Sequence, residues 1–464
     1  MRLSRFLVGL ACSAVFLSAQ LPQWEPVGQY QLPPEIKTPL WITFGLRPNA
    51  AEQPDLSAAY ILCGGVDANF NGQQDSGDIQ PAVVVSWSEP GGVFSLGITL
   101  PWGPLSFPVR AASVIGREGA TFYVPRIDRL TRFTLFREQP EDTLLPVGVQ
   151  AVSRVGDTLL VSRRTGTDEG EVWILFPDGR VDTVRVHACP NIQQVLWDAR
   201  RQQLIVLCEG VFGNTNATVH FLPRADASQD VIVPVGDTGN FLLLEGDTLL
   251  VVSNGSHELY VLDPTTHLSH RFPPLSTGTS GYGGPREALL LTLPNGQRTV
   301  LVSTYSRDVR WIDLATGAVL QILPLSGLAE GMALRRLGDT LELWVTQPFT
   351  PAYSPDSSVA IFRLVITSSV AETAAGEELR LLPTVIDEGP ALVSWKLPEG
   401  AASQVRAEVY SMDGRRWKTW ELPLAATGEL LAVLPLSRTE LASGWYLLRL
   451  SAGTRSAAVS FFVR

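Results

Sequence analysis

Short apolar runs alternate with polar and turn-forming residues along most of the chain. Stretches such as 159–162 and 249–253 consist of Leu, Val and Ser, and Gly or Asn follows them within a few positions. Runs of this length, bounded by turn formers, are typical of β-strands, whereas a helix needs a longer apolar pattern. The hydrophobic pattern therefore predicts short strands and tight loops.

One pattern recurs through the middle of the chain. A Gly-Asp-Thr-Leu turn opens segments 156–162, 246–253 and 338–345, and a second apolar strand follows each of them. Related segments without this turn start near Tyr60, Thr121, Leu204 and Arg298. Apart from a longer first interval, the copies start about 35 to 50 residues apart, which is a period typical of repeat folds.

The copies predict a β-propeller. In each copy a weakly apolar strand precedes the turn, two strongly apolar strands follow, and a fourth strand carries the chain outward. Four-stranded sheets at this spacing form propeller blades, whose neighbours cover the faces that a single unit leaves exposed. We expect an all-β protein with a seven-bladed β-propeller over residues 25–366, in preference to six or eight blades.

Three strand–turn–strand segments, 206–213, 259–266 and 309–317, resemble the repeats of the YVTN/YncE-like propeller family. The resemblance extends over residues 40–366. It implies an extracytoplasmic protein, and some relatives at bacterial surfaces capture small ligands such as corrinoids. Tyr-Val-Thr-Asn itself is found in none of the copies, so the resemblance assigns no ligand to this chain.

Segment 67–78 has the spacing of an EF-hand calcium loop. Oxygen-bearing side chains stand at loop positions 1, 3, 5, 9 and 12, with Gly72 at the sharp turn and a carbonyl at position 7. Aspartate at position 12 has a shorter reach than glutamate and should weaken binding. We expect a structural Ca²⁺ site between two strands, or else a polar turn without metal. Its ligands would be Asp67, Asn69, Asn71, Gln73, Asp75 and Asp78.

A second strand-rich module follows a small polar linker at residues 367–378. Segments 409–415 and 441–450 and the apolar C-terminal strand resemble the C-terminal sorting domain of type IX (Por) secretion cargo. The resemblance implies a small C-terminal β-sandwich sorting domain at residues 379–464, passage across the outer membrane, and then release or attachment to surface polysaccharide. Leu382-Pro383-Thr384 replaces the usual Pro-Asn-Pro, and a generic β-sandwich that binds a partner is the alternative.

The N-terminus predicts export. Two arginines precede an apolar run and a small-residue segment, which is the pattern of a signal peptide at residues 1–20. This run is too short to span a membrane, and no other stretch is long enough. After cleavage Cys63, Cys189 and Cys208 remain, and an oxidising compartment permits either a Cys189–Cys208 disulfide or three buried thiols.

Charge and motif content exclude several functions. The formal net charge is −10, so no general basic field exists for nucleic acid or anionic lipid. None of the lysines follows a glycine, which excludes a P-loop, and the sequence contains neither His-Glu-x-x-His nor Gly-x-Ser-x-Gly. The sequence gives no local support for an enzyme, although distant blades could bring two carboxylates together.

Propeller topology indicates where a ligand would bind. In a four-stranded blade the start of the innermost strand and the turn between strands two and three lie at the same mouth of the channel, and mouths are frequent ligand sites. Arg286 would clamp an anion or carbonyl, and Tyr305 would offer a stacking surface. The predicted ligand-binding residues, each alternatively a solvated loop residue, are Asn191, Asn240, Arg286, Tyr305, Arg307 and Glu330.

Together these patterns predict a secreted or cell-surface propeller that the type IX machinery exports. It would bind a small molecule, a glycan or a protein at the channel mouth. A secreted propeller enzyme, acting as a hydrolase or lyase, is one alternative. A purely structural adhesion module is the other.

Overall fold

The structure is a computed structural model of the chain. It describes residues 22–463 apart from positions 47–56, 70, 72, 90–91, 117–118, 136–139, 225–228, 272–282, 294–295, 338–339, 367–378, 383–384, 387–390, 397–403, 412–415, 424–428, 437–440, 442–443 and 453–454. The predicted signal peptide and the predicted linker therefore lie outside the described residues. The part of the chain that is described contains no α-helix, and so no helix there could cross a membrane.

Seven four-stranded antiparallel sheets follow one another along the chain, and the first strand, β1 (Trp24–Gln31), belongs to the last of them. Sheet 1 contains β2 (Pro39–Leu46), β3 (Ser57–Cys63), β4 (Ala82–Glu89) and β5 (Gly92–Thr99). Sheet 2 contains β6 (Ala112–Gly116), β7 (Gly119–Arg126), β8 (Arg129–Thr134) and β9 (Glu141–Leu144). Sheet 3 contains β10 (Val149–Val155), β11 (Thr158–Arg164), β12 (Gly170–Leu175) and β13 (Val181–Val186).

The next four sheets repeat this up-and-down order. Sheet 4 contains β14 (Ile192–Asp198), β15 (Gln203–Cys208), β16 (Thr218–Pro223) and β17 (Val231–Pro234). Sheet 5 contains β18 (Gly239–Glu245), β19 (Thr248–Ser253), β20 (Glu258–Leu262) and β21 (Ser269–Arg271). Sheet 6 contains β22 (Pro285–Thr292), β23 (Arg298–Thr304), β24 (Asp308–Asp313) and β25 (Val319–Pro324). Sheet 7 contains β26 (Met332–Leu337), β27 (Thr340–Phe349), β28 (Pro355–Val365) and β1.

The Gly-Asp-Thr-Leu segments at 156 and 246 form the first hairpin of their sheets, whereas Gly338 and Asp339 of the third lie outside the described residues. Gly156 and Gly246 occupy the turns with φ of 59° and 60°, a conformation that tight hairpins require and glycine adopts without steric cost. In sheet 5 the strand that follows the turn is buried on both faces. Leu249 and Val251 pack in the cluster shared with sheet 4, while Leu250 and Val252 pack in the cluster shared with sheet 6. Strict alternation therefore gives each sheet two apolar faces.

The seven sheets form a cycle. The first strand of each sheet contacts the first strand of the next, and β26 of the last sheet contacts β2 of the first. Seven apolar clusters, one at each junction between successive sheets, fill the spaces between them. First strands that line a common axis, with sheets radiating outward, are the arrangement of a β-propeller.

The N-terminal strand completes the last sheet. β1 pairs antiparallel with β28, with Trp24 opposite Leu364. Trp24 is also tied to the preceding sheet, because its amide donates to Gln321 Oε1 over 2.8 Å and its carbonyl accepts from Gln321 Nε2 over 2.8 Å. Its ring packs edge-on against Trp311 at 6.3 Å. The two ends of the cycle are thus held together by residues about 300 positions apart in sequence.

Two of the three cysteines in the described residues are joined in a disulfide. Cys189, just before β14, and Cys208, at the end of β15, form a disulfide that joins two segments of sheet 4. Cys63 is a free thiol at the end of β3, and burial raises its pKa far above the ordinary value. The structure therefore shows the Cys189–Cys208 disulfide and not the three buried thiols that the sequence also allowed.

Two further sheets lie C-terminal to the cycle. The three-stranded sheet contains β29 (Leu379–Leu382), β31 (Ala391–Lys396) and β34 (Glu429–Leu434). The five-stranded sheet contains β30 (Val385–Ile386), β36 (Arg455–Val463), β35 (Gly444–Ala452), β32 (Gln404–Ser411) and β33 (Arg416–Pro423). Trp395 of the first sheet and Leu448 and Phe461 of the second are fully buried in one apolar cluster.

Candidate functional site

A β-bulge recurs at the same position of the innermost strands. In sheets 1, 3, 4, 5 and 6 the first strand inserts one extra residue near its start. Arg110 and Glu330 take the matching place just before the first strands of sheets 2 and 7. Arg110 forms a β-bridge with Ala151. The Glu330 amide donates to the Thr346 carbonyl. We call these seven residues the channel ring: Leu40, Arg110, Gln150, Gln193, Asn240, Arg286 and Glu330.

The channel ring is buried and mostly polar. Its members are 0 to 6% exposed, and Leu40 is its only apolar residue. Bulges re-aim side chains at sheet edges and next to binding sites, which explains how a strand of alternating apolar residues can place a polar group at the axis. Buried polar groups cost free energy unless they are hydrogen-bonded, so the partners of these residues decide what the ring can do.

Arg286 and Glu330 form the centre of the site. Arg286 donates from Nε to Glu330 Oε2 over 2.9 Å and from Nη2 to Oε1 over 3.0 Å, and the Tyr305 hydroxyl donates to Oε2 over 2.6 Å. The guanidinium lies between two aromatic rings, 4.6 Å from the Tyr305 centroid and 5.3 Å from that of Phe107. A bidentate pair stacked in this way has one fixed geometry.

Two other ring residues bond to the backbone of Arg286. Arg110 reaches across from sheet 2 and donates from Nη2 to the Arg286 carbonyl over 3.1 Å, and Asn240 Nδ2 donates to the same oxygen over 2.5 Å. The Arg110 guanidinium stacks on Phe241 at 4.9 Å. Burial lowers the pKa of Arg110, while Glu287 and Glu330 oppose that effect. We call this buried polar cluster the floor, and the mouth of the cycle together with its floor the mouth cup.

Glu287 is the most perturbed carboxyl beside the floor. Burial raises its pKa to about 7, the Arg110 charge opposes the rise and the Glu330 charge adds to it. Its Oε2 accepts a hydrogen bond from the Met332 amide over 3.3 Å. A carboxyl in this setting exchanges its proton near neutral pH.

A third arginine, half-buried, lies on the sheet 4 side of the cup. Arg164 donates from Nη2 to Gln193 Oε1 over 2.5 Å and to Glu209 Oε2. Burial raises the pKa of Glu209, against the opposing charges of Arg164 and Arg286. The Nε2 atom of Gln193 is buried and has no partner within the described chain. The cup thus combines three guanidinium groups with three carboxyl groups.

The structure distributes the sequence-predicted ligand residues over two settings. It brings Asn240, Arg286, Tyr305 and Glu330 into one hydrogen-bonded cluster. Asn191 instead lies in a turn with φ of 56°, where its Nδ2 donates to the Gly210 carbonyl over 2.9 Å. Arg307 is an exposed turn residue with φ of 65°. The binding role of all six remains a prediction.

Sequence reasoning missed four ring members, of which three are polar. Arg110, Gln150 and Gln193 belong to the ring although no motif marks them. The sequence contains a usable signal, because each of the three directly follows a valine or isoleucine. That apolar residue begins the first strand in sheets 3 and 4 and lies shortly before it in sheet 2. Their hydrogen bonds explain their places: for example, Gln150 Nε2 donates to the Phe107 carbonyl over 3.0 Å.

The acidic loop 67–78 connects β3 to β4, as predicted; Phe70 and Gly72 lie outside the described residues. Asn69 and Asn71 both direct Nδ2 at Asp75 Oδ2, over 2.9 and 2.8 Å, and these bonds lower the Asp75 pKa. Asp78 accepts from the Ala68 and Asp75 amides over 2.9 and 2.8 Å.

The remaining predicted ligand positions belong to the same turn. Asp67 Oδ1 accepts from the Asn71 amide over 3.3 Å, and the Gln73 amide donates to Asn71 Oδ1 over 2.7 Å. A 180° flip of each asparagine amide would turn its oxygen toward Asp75. The described side chains of the loop therefore bond to one another and to the loop's own amides, and calcium binding by them stays a prediction.

Comparison with known proteins supports the fold alone. No protein-family model and no curated protein matches this sequence. A crystal structure of BBS1N in complex with ARL6DN, soaked with mercury, aligns with a TM-score of 0.49 and 12% identity, over 75% of this chain and 98% of that one. Hydrazine synthase from Kuenenia stuttgartiensis aligns with a TM-score of 0.50 and 13% identity, over 73% of this chain and 98% of that one. The all-β, propeller-like fold is confirmed by the described sheets and the cycle they form, and the alignment with hydrazine synthase agrees with it.

Proposed function

We propose that this chain is an exported propeller of seven blades that binds a ligand in the mouth cup. The observation that carries the proposal is the channel ring, in which polar residues occupy every position but one and are buried. A plug that served only stability would be apolar, because desolvating charged groups offsets most of what their pairing contributes. A purely structural adhesion module gives no reason for such a floor.

We further propose that export follows the type IX route. The resemblance to YVTN/YncE-like propellers supports an extracytoplasmic location, and the N-terminal segment fits a signal peptide. Residues 379–464 would be a C-terminal β-sandwich sorting domain, which agrees with two sheets that share one apolar cluster. The protein would then be secreted or held at the cell surface, with the type IX machinery as its first partner.

Deletion of residues 379–464 tests the export route. In a bacterium that possesses the type IX system, the full chain should reach the medium or the outer surface, while the deletion variant should accumulate in the periplasm. Immunoblots of the separated fractions measure this. Equal export of both chains would contradict the sorting role without affecting the proposed binding site.

The acidic loop would hold a structural Ca²⁺ ion. Asp67, Asn69, Asn71, Asp75 and Asp78 would supply side-chain oxygens and Gln73 its carbonyl. A ligand that binds only the folded state raises Tm, so millimolar Ca²⁺ should raise the Tm of the full chain relative to chelator. D75N should remove most of that difference. Equal melting in calcium and chelator would overturn the site.

One observation favours the enzyme alternative. A secreted hydrolase or lyase needs a carboxyl that exchanges protons near the working pH, and burial gives Glu287 a pKa of about 7 beside Glu330 and Arg110. No substrate is indicated, so binding is the better supported function.

Native mass spectrometry of the full chain, purified gently from its host, tests the binding function. We expect retained mass beyond that of the polypeptide and calcium. The double variant R286A/E330A should lose that mass, because it removes both charges of the Arg286–Glu330 pair together and leaves neither unpaired. Circular dichroism of both proteins controls for folding. A bare wild-type mass, or retained mass in the double variant, would refute the mouth cup as the site.

A further inference from the structure

A cleft of about 290 Å³ lies beside the mouth cup, between sheets 1, 2 and 7. Its walls are mainly apolar and include three aromatic side chains, Trp102, Phe107 and Phe349, together with Leu40 of the channel ring. Concave apolar spaces with a few polar groups at the edge are the usual form of small-molecule sites. The volume is at the lower end of that class and suits one ring-sized group.

The cleft is preformed by hydrogen bonds behind its walls. Arg126 is 1% exposed and donates to the Pro101 carbonyl over 2.9 Å and the Gly103 carbonyl over 3.3 Å, which fixes the loop that carries Trp102. On the opposite wall the Thr38 hydroxyl donates to the Gly65 carbonyl over 2.7 Å. Walls that are already fixed reduce the entropy that a ligand would have to overcome.

The cleft and the mouth cup share residues. Phe107 lines the cleft, and its ring centroid lies 5.3 Å from the Arg286 guanidinium carbon. Leu40, the single apolar ring member, faces the cleft rather than the polar cluster. The mouth is therefore divided into an apolar sector at sheets 1, 2 and 7 and a polar sector around the other ring residues.

Two nitrogen donors of the polar sector have no acceptor among the described residues. Arg110 Nε and Gln193 Nε2 are buried without a partner in the described residues, and both are nitrogen donors on ring residues at most 5% exposed. Buried polar atoms in proteins are nearly always paired, so unpaired donors in a cup point to a ligand that supplies oxygen acceptors. Arg110, Arg164 and Arg286 supply positive charge beside the carboxyls of Glu209, Glu287 and Glu330.

We infer that the cleft and the mouth cup together bind a monocarboxylate with a ring-sized apolar end. The ring would enter the cleft against Trp102 and Phe349, and the carboxylate would lie over the floor toward the donors of Arg110 and Gln193. Phe107 stands where the two parts meet, so the linker must pass its ring. This inference rests on the proposed binding function and names its ligand class.

Titration calorimetry with three matched probes tests the inference on the full mature chain. The probes are 3-phenylpropanoate, propanoate and 3-phenylpropanamide, which carry both features, the carboxylate alone and the ring alone. We expect 3-phenylpropanoate to bind at least tenfold more tightly than either of the others. Equal affinity for acid and amide would overturn the carboxylate assignment, and equal affinity for 3-phenylpropanoate and propanoate would overturn the use of the cleft.

Variants locate the two ends of the probe. W102A should reduce the affinity for 3-phenylpropanoate about tenfold and leave that for propanoate unchanged. F212A, which removes an exposed aromatic ring in the β15–β16 turn, is the matched control and should change the affinity for neither probe. Q193L should weaken both carboxylates but not the amide. If Q193L fails to fold, the probe series on the wild type still decides the assignment.

Failure of the inference is distinguishable from failure of the proposed function. If no probe binds but the native chain retains a mass that R286A/E330A loses, the ligand class is wrong and the mouth cup stands as the site. If no probe binds and no mass is retained, both are wrong.

Discussion

Two ion pairs at opposite ends of the sheets use the same chemistry in different surroundings. At the mouth cup, Arg286 and Glu330 join sheets 6 and 7 with side chains 8% and 0% exposed. At the far end, Arg201 and Asp247 join sheets 4 and 5 through their turns, with side chains 16% and 63% exposed. Water screens the second pair and barely reaches the first, so the same kind of contact contributes differently to the free energy of unfolding at the two ends.

The comparison shows where this protein holds charge away from water. Hydrogen bonds from Arg201 and then Arg200 lower the Asp247 pKa, as expected of an exposed acid between two guanidiniums. Burial instead raises the pKa of Glu287 at the mouth. Asp247 is thus a solvated acid, whereas the partners of the mouth pair are fixed by the fold. Buried acids also occur at the far end, where Asp198 pairs with Arg201 and Glu342 with Arg335.

Breaking the buried pair should have the largest effect. R286M leaves Glu330 buried without its guanidinium, and removal of one partner of a buried pair costs about 3–5 kcal/mol of unfolding free energy. R286M/E330Q should recover much of that loss, because a neutral amide tolerates burial better than an unpaired carboxylate. Urea denaturation measures both. A loss in R286M no greater than in D247N would refute the difference between the two ends.

The pH dependence of stability should follow Glu287. Its folded pKa of about 7 lies above the ordinary value, so its contribution is complete below pH ~4.5 and is lost as the pH rises through 7. A rise of this size corresponds to roughly 3 kcal/mol. Unfolding free energies at pH 5 and pH 8 should therefore differ in the wild type and converge in E287Q.

D247N is the control for that measurement. The pKa of Asp247 is lowered, so its contribution is present above its unfolded pKa and is lost only as the pH falls below it. D247N should leave the difference between pH 5 and pH 8 unchanged. A pH response of E287Q identical to that of the wild type would remove Glu287 as its source.

Y305F should have an intermediate effect. It removes one hydrogen bond to a buried carboxylate while it keeps the ring on Arg286, and such bonds contribute about 1.5 kcal/mol. Y353F, at a tyrosine 53% exposed in the β27–β28 turn, is the matched control. A Tm shift in Y305F that equals that of Y353F would show that the hydroxyl adds nothing to the pair.

D247N at the far end should have the smallest effect. An exposed pair adds little in water, so the urea midpoint should stay within error of the wild type at moderate salt. A clear loss that persists at 1 M NaCl would mean that this end is less solvated than the side-chain exposure indicates.

Particular residues show what could be predicted from the sequence. The Gly-Asp-Thr-Leu turns and the flanking Val and Leu runs predicted hairpins such as β18–β19, because a tight turn and a period of two are local properties. Topology alone placed Arg286, Tyr305 and Glu330 near one mouth. The same argument chose Asn191 for sheet 4, although the ring residue is Gln193, two positions later. The sequence does not mark the bulge that places Gln193 in the ring.

The sequence by itself determined the strands, their turns and the seven repeats, because those depend on residues close together along the chain. Only the tertiary structure decided that Arg110 reaches the Arg286 carbonyl across the channel, 176 positions away in sequence. It alone also decided that Glu287 titrates near neutral pH and that Phe107 joins an apolar cleft to a polar floor. Burial and long-range pairing set the energies of these groups, and neither exists until the sheets close around their axis.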